Sequence, residues 1–246
     1  MLNIAVVHCN MTIWLASGNK HKQQELSTIL GGYILKIPAE AGIENFDHEE
    51  TGTAFAENAL IKAKALHSIL PDRLKWPNKA NEPCPILADD SGLCVDALGG
   101  KPGIYSARYY GINSWTSDGS FFSKSGPVKL KDHERNVLLL EELEAQLAKD
   151  ITRKCRFVCA MVLFFSPEHF YIAQETMEGE IVSSAAEIRG NGGFGYDPIV
   201  YLPELNRTVA ELSEEEKNLF SHRAKAGRAI AKLLCVQSGF VNKALC

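Results

Sequence analysis

The chain has 246 residues, of which 46% are hydrophobic and 23% charged, and a formal net charge of -4. These values exclude a disordered chain, a collagen-like fibre and a coiled coil, and they suit one large domain or two small lobes with a sizeable core. The acidic balance argues against a general nucleic-acid binder, although a local basic cluster can still hold a small anion.

No apolar run approaches the roughly 18–20 residues needed to cross a bilayer. Residues 1–10 (MLNIAVVHCN) lack a basic leader and are broken by His8, Cys9 and Asn10, so they read as an N-terminal extension, either an extra strand or a disordered segment, and not as a secretory signal. Seven cysteines with no C-x-x-C pair point to the reducing cytoplasm. Cys155 and Cys159, four apart in an apolar run, read as small core residues on one side of a strand.

Residues 12–16 (TIWLA) predict a strand, Ser17-Gly18-Asn19 a turn, and residues 20–30 a helix stopped by Gly31-Gly32. This order aims backbone N–H groups and the positive end of a helix dipole into the turn. Residues 33–37 form a second predicted strand, ended by Pro38. The acidic loop 44–50 then leads to the clearest helix, 54–70, with Thr53 as N-cap and Pro71 as its stop. Four prolines make 71–85 a loop. Ile86-Leu87-Ala88 reads as a short strand that ends in an Asp89-Asp90-Ser91-Gly92 turn. Residues 111–130 read as a Gly/Ser-rich surface loop, and 132–149 as a helix with Val137, Leu140, Leu143 and Leu147 on one stripe. Residues 156–165 predict a strand buried on both faces, and 170–175 and 180–184 the pieces of a hairpin partner. Ser213 and Glu216 have capping-box spacing, and 222–235 form the last helix. The class is α/β: an elongated mixed central sheet with helices, in two lobes around a cleft.

Five stretches carry potential chemistry. Ser17, Gly18, Asn19, Lys20, His21 and Lys22 combine small residues with two lysines, as a phosphate-binding turn does, without the P-loop pattern. Asp89 and Asp90 end an apolar strand, where hard carboxylate oxygens suit Mg²⁺; alternation along a strand sends one into the cleft and leaves the other to support the loop. Glu49-Glu50-Thr51-Gly52 offers a second carboxylate or simply favours the following helix dipole. Asn191 to Pro198 sets three glycines beside Phe194 and Tyr196, which suits close backbone approach and stacking on a base. Lys217 with Ser221-His222-Arg223 adds cationic groups at a helix start.

Taken in this order, SGNKHKQQEL, EETGTAFAENALIKAKA, LADDSGLCVDALGGKPGIYSARYYG, GNGGFGYDPIV and AELSEEEKNLFSHRAKA resemble the inosine triphosphate pyrophosphatase family, the house-cleaning nucleoside triphosphatases, over residues 15 to about 232. The resemblance implies a Mg²⁺-dependent homodimer that cleaves ITP, dITP, XTP and dXTP into monophosphate and pyrophosphate. It places the triphosphate on Ser17 to Lys22 and near Lys62, and the metal on Glu49 and Asp90. Asp90 also serves as proton acceptor, and Ser91 as a substrate contact. The nucleoside falls to Phe194, Gly195, Tyr196 and Asp197, and the basic group around base and phosphates to Lys217, His222 and Arg223. Arg223, or backbone N–H groups near Phe194, are the candidate donors to the 6-oxo group of the base. The rival expectations are a pyrophosphatase for other modified nucleotides and a nucleotide-binding regulator without turnover.

Overall fold

The computed structural model describes residues 11–75, 84–111, 130–147 and 152–237. The N-terminal extension, most of the proline-rich loop and most of the Gly/Ser-rich loop lie outside the described residues. The strands are β1 (Thr12–Leu15), β2 (Ile34–Lys36), β3 (Ile86–Val95), β4 (Lys101–Pro102), β5 (Lys154–Ser166), β6 (His169–Ile181), β7 (Val200–Leu202) and β8 (Arg207–Thr208). The helices are α1 (Lys20–Ile29), α2 (Phe55–Ile69), α3 (Asp72–Lys75), α4 (Asp132–Leu147), α5 (Glu214–Phe220) and α6 (His222–Gln237). The strands form one mixed sheet in the order β2-β1-β3-β5-β6-β7-β8, with β4 on β3. The predicted α/β class with a mixed central sheet is therefore what the chain adopts.

The chain divides into two compact units. The first comprises the described residues within Met1–Asp90, Cys159–Glu175 and Asn218–Cys246, the second those within Ser91–Val158 and Thr176–Lys217. In the first unit β1 runs parallel to β2, pairing Thr12 with Ile34, and parallel to β3, pairing Leu15 with Leu87. Side-chain alternation along these strands builds two cores. Ile13, Leu15, Leu87, Cys159 and Met161 face Leu26 of α1 and Ile230 and Leu234 of α6. Trp14, Ile86, Ala88, Val162 and Phe164 face Ala59, Ala63 and Leu66 of α2. In the second unit β3 pairs antiparallel with β4, and β6, β7 and β8 follow one another antiparallel.

Local chemistry explains most boundaries. Asn19 caps α1 by accepting from the backbone N–H of His21 and Lys22 at 3.0 and 3.2 Å. Ser213 and Glu216 exchange the two bonds of a capping box ahead of α5. Ser221 Oγ accepts from Ala224 N–H at 3.1 Å at the start of α6. The continuous apolar run of β5 is buried from Phe157 to Phe165, as a strand covered on both faces requires. Cys155 and Cys159 are buried free thiols within it.

Four expectations need correction. The segment 71–85, expected as a loop, opens with the short helix α3 (Asp72–Lys75), since a proline just ahead of a helix leaves its first turn free to form. Asp89-Asp90-Ser91-Gly92 is not a turn, because β3 continues through it to Val95. The two carboxylates are neutralised by basic side chains, and pairing with β4 extends the ladder beyond them. Thr53 does not cap α2, whose flanking residue is Ala54 without a side-chain cap. The bond runs the other way: Glu57 reaches back to accept from Thr53 N–H at 2.7 Å and Thr53 Oγ–H at 2.8 Å. Finally, the two short strands expected at 170–175 and 180–184 are one strand, β6, because Thr176 to Gly179 stay in the ladder.

Candidate active site

The aspartate pair marks the centre of the first unit's polar residues. The last β1–β3 pairs are Trp14 with Ile86 and Leu15 with Leu87, so Asp89 and Asp90 lie just beyond the carboxyl end of β1. In open α/β sheets this is where ligands gather. Asp89 shares the parity of Leu87 and projects toward α1 and α6, whereas Asp90 shares the parity of Ala88 and projects toward α2. The two carboxylates thus belong to separate polar groups.

Asp89 is fully buried and sits 2.8 Å from Lys22 Nζ and 3.6 Å from Arg223 Nε. Arg223 is itself buried and pairs through Nη1 with Glu25 of α1. Burial opposes ionisation of Asp89, but Lys22, Arg223 and Lys62 overcome it and hold the carboxyl well below the usual carboxylate range. The result is a Glu25–Arg223–Asp89–Lys22 chain of ion pairs that joins α1, β3 and α6.

Asp90 has a different environment. Its Oδ2 accepts from Asn58 Nδ2 at 3.0 Å, and its Oδ1 lies 3.6 Å from Lys62 Nζ. Lys62 Nζ also donates to Glu50 Oε1 at 2.9 Å. Burial raises the Asp90 pKa, Lys62 pulls it down, and Glu50 raises it again, for a net upward shift. Burial likewise opposes the charge on Lys62, yet Asp90, Asp89 and Glu50 raise its pKa and keep it protonated. Two acids thus share one ammonium.

Asn58 is the residue that sequence reading missed here. It is buried, and its Oδ1 accepts from Gly52 N–H at 2.8 Å while its amide nitrogen binds Asp90, so it ties the acidic loop to β3. A Cβ on Gly52 would stand 2.7 Å from Asn58 Oδ1, which is why glycine occupies that position. The available signal was the spacing: Asn58 lies one turn before Lys62 and therefore on the same helix face.

The structure treats the other expected residues as follows. Ser17 Oγ accepts from Asn19 N–H at 3.1 Å, and Gly18, Asn19, Lys20 and His21 are exposed around the start of α1. Glu49 is exposed; its neighbour Glu50 is the acid that reaches Lys62. His222 is buried at the head of α6. Ser91 follows Asp90 in β3 and is half-buried.

In the second unit Asp197 Oδ2 accepts from Phe194 N–H at 2.9 Å and from Lys217 Nζ at 2.8 Å. Lys217 Nζ also stands 5.0 Å from the centre of the Phe194 ring. Gly195 N–H donates to Asp132 Oδ2 at 2.7 Å. The backbone N–H groups of Phe194 and Gly195, expected as donors to a base, are therefore bonded to carboxylates. Arg223, the other expected donor, likewise pairs with the acids Glu25 and Asp89 of the first unit.

The fold and these residues define an α/β protein with buried acids paired to lysine and arginine in one unit and an aromatic loop with a buried lysine in the other. The chain belongs to the Ham1 family, whose family model matches residues 13–233. It is 42% identical over 224 residues to a dITP/XTP pyrophosphatase from Treponema denticola, covering 91% of this chain and 98% of that protein. It is 40% identical over 222 residues to a dITP/XTP pyrophosphatase from Thermus thermophilus, covering 89% of this chain and 90% of that one. Among solved structures it is similar to a HAM1 protein from Coxiella burnetii, with a TM-score of 0.70 and 36% identity over 92% of this chain and 99% of that one. No helix among the described residues is long and apolar enough to cross a membrane.

Proposed function

We propose that this protein hydrolyses deaminated purine nucleoside triphosphates, ITP, dITP, XTP and dXTP, to the monophosphate and pyrophosphate, and so cleanses the nucleotide pool. The observation that carries this reading is the Lys62 ammonium held between Glu50 and Asp90 beside the charged chain of Asp89, Lys22 and Arg223. A nucleotide binder without turnover has little use for a buried carboxylate whose ionisation is opposed by burial.

The donors fit a magnesium ion. Among the described residues no group of three or more His, Cys, Asp or Glu side chains is gathered as a metal site. Mg²⁺ needs only one or two protein carboxylates, because phosphate oxygens and waters complete its shell. Glu50 and Asp90 share one ammonium between two acids, which leaves negative charge for a divalent cation. We therefore assign the metal to Glu50 and Asp90, with Glu50 in the place expected for Glu49. When bound, the ion neutralises phosphate charge and polarises the phosphoryl oxygens.

The chain's own residues do the rest. Lys20, Lys22 and Lys62 bind the triphosphate oxygens, and the exposed turn Ser17 to His21 lines their approach. Asp90 orients the attacking water and takes its proton. The water oxygen bonds to the α phosphorus, the bond to the α–β bridging oxygen breaks, and pyrophosphate leaves with the charge on that oxygen. Catalysis of this kind rests mainly on positioning and electrostatics.

Phe194 stacks on the base, and Lys217 offers the 6-oxo group a buried cationic donor. ATP presents an amine there, a donor facing a donor, and sites that leave buried polar groups unpaired discriminate by up to about 10⁴-fold. A homodimer is what the resemblance to the inosine triphosphate pyrophosphatase family implies, and the net charge of -4 supports small nucleotides over nucleic acid as the partner. The free cysteines suit the reducing cytoplasm.

The test is turnover of ITP, XTP, GTP and ATP side by side with Mg²⁺, with release of pyrophosphate as the readout. Preferential cleavage of ITP and XTP with stoichiometric pyrophosphate is expected. Equal turnover of ATP, or release of orthophosphate instead, contradicts the proposal.

A further inference from the structure

The aromatic loop is held by its own Phe194–Asp197 bond and by contacts from outside it. Gly195 lies in the left-handed region, with φ of 65°, where glycine is also free to take many other conformations. The outside contacts favour this one. Both peptide groups that flank Gly195 are bonded to the first two turns of α4. Its N–H donates to Asp132 Oδ2 at 2.7 Å, and its carbonyl accepts from Asn136 Nδ2 at 3.1 Å. Asn136 is only 2% exposed, so a buried amide donor is committed to this one carbonyl.

The next residue is held from the same place. Asp132 also pairs with Arg135, whose guanidinium lies 5.9 Å from the centre of the Tyr196 ring and donates through Nη1 to Ala107 O at 2.9 Å. Tyr196 Oη–H donates to Ser106 O at 2.9 Å. The loop is therefore pinned at Gly195 and Tyr196 by α4 and the 3-10 segment Gly103–Arg108, and at Phe194 by Asp197.

We infer that Asp132 and Asn136 are positioning residues for base recognition: by fixing the two peptide groups around Gly195 they keep the Phe194 ring in the orientation that receives the purine. This rests on the reading of Phe194 to Asp197 as the nucleoside loop. Neither residue touches the phosphate-binding groups, which belong to the first unit. Releasing Gly195 divides the loop among several conformations, and apparent affinity falls by the fraction that remains competent. The loss is one of binding and not of the chemical step.

The experiment compares Asn136→Ala, Asp132→Ala and Asp132→Asn in the full chain, with Phe194→Ala beside them and thermal unfolding as a check on folding. Asn136→Ala and Asp132→Ala raise KM for ITP by about tenfold, the ratio expected for one lost buried hydrogen bond, while kcat is preserved. Inhibition by inosine monophosphate weakens in parallel, and inhibition by inorganic tripolyphosphate, which carries no base, is unchanged. Asp132→Asn keeps an acceptor for Gly195 N–H and recovers most of the loss. Should Asn136→Ala fail to fold, the exposed Asp132 carries the test alone. The inference is overturned if kcat falls while KM stays, or if tripolyphosphate and monophosphate weaken together. It is also overturned if Phe194→Ala weakens inosine monophosphate while Asp132→Ala does not. No effect of Phe194→Ala on either KM or monophosphate binding sinks the nucleoside-loop reading itself.

Discussion

At the scale of single residues, what matters is which carboxylates face which cations. Asp89 and Asp90 are neighbours in sequence and opposites in surroundings, because a strand sends them to opposite faces. Asp89 is locked in ion pairs and kept charged, whereas Asp90 is raised and pairs with a lysine shared by Glu50. Asp90→Asn is expected to lower kcat by about 10²–10⁴-fold, the range for a lost general base, with thermal unfolding little changed. Steady-state turnover of ITP checks this. Glu50 and Glu49 are separated by a similar measurement: Glu50→Gln raises the Mg²⁺ concentration needed for half-maximal rate, whereas Glu49→Gln leaves it near that of the parent chain. The reverse order would return the metal to Glu49. Gly52→Ala places a methyl group 2.7 Å from Asn58 Oδ1. Overpacking of this kind costs about 1–3 kcal/mol. Denaturant unfolding reads that cost, and activity falls further than stability because the displaced Asn58 no longer holds Asp90.

At the scale of elements, α2 shows how a helix start is built without the expected cap. Its first turn supplies Glu57 and Asn58, which reach back to the N–H groups of Thr53 and Gly52. The bonds from Thr53 N–H and Thr53 Oγ–H lower the Glu57 pKa. The folded pKa lies below the unfolded one, so the stabilisation is present above the unfolded value, about 4.3, and disappears as pH falls through the folded value. Glu57→Gln is expected to flatten this acid limb of the stability curve while changing neutral stability less; a parallel curve would remove Glu57 from the role. The same element shows what sequence conveys. The Ala-Leu-Lys composition marked the helix and Pro71 its end, since both act locally. The direction of the cap did not show, because Thr53 and Glu57 each suit either role. The Asp89-Asp90-Ser91-Gly92 stretch misled for a similar reason. Its residues favour turns in isolation, and only the distant Lys22, Lys62 and Arg223, with β4 beside it, keep it a strand.

At the scale of the whole molecule, a chain of net charge -4 still brings Lys22, Lys62 and Arg223 together around Asp89 and Asp90. The α/β class and most elements were legible because strand and helix periods are local properties of the sequence. So were the chemistry-bearing stretches, as clusters of acids, lysines and glycines. Asn58, Asp132 and Asn136 were not, because their importance lies in partners 32, 63 and 59 residues away in sequence. The family resemblance points to Glu49, and nothing in the sequence marks its neighbour Glu50 as the acid paired with Lys62 of α2. The central claim is that Asp90 directs water to the α phosphorus of a deaminated purine triphosphate. Its most direct test is hydrolysis of ITP in heavy-oxygen water, with mass analysis of both products. The account predicts the label in inosine monophosphate and none in pyrophosphate; label in pyrophosphate would place the attack on the β phosphorus and contradict it.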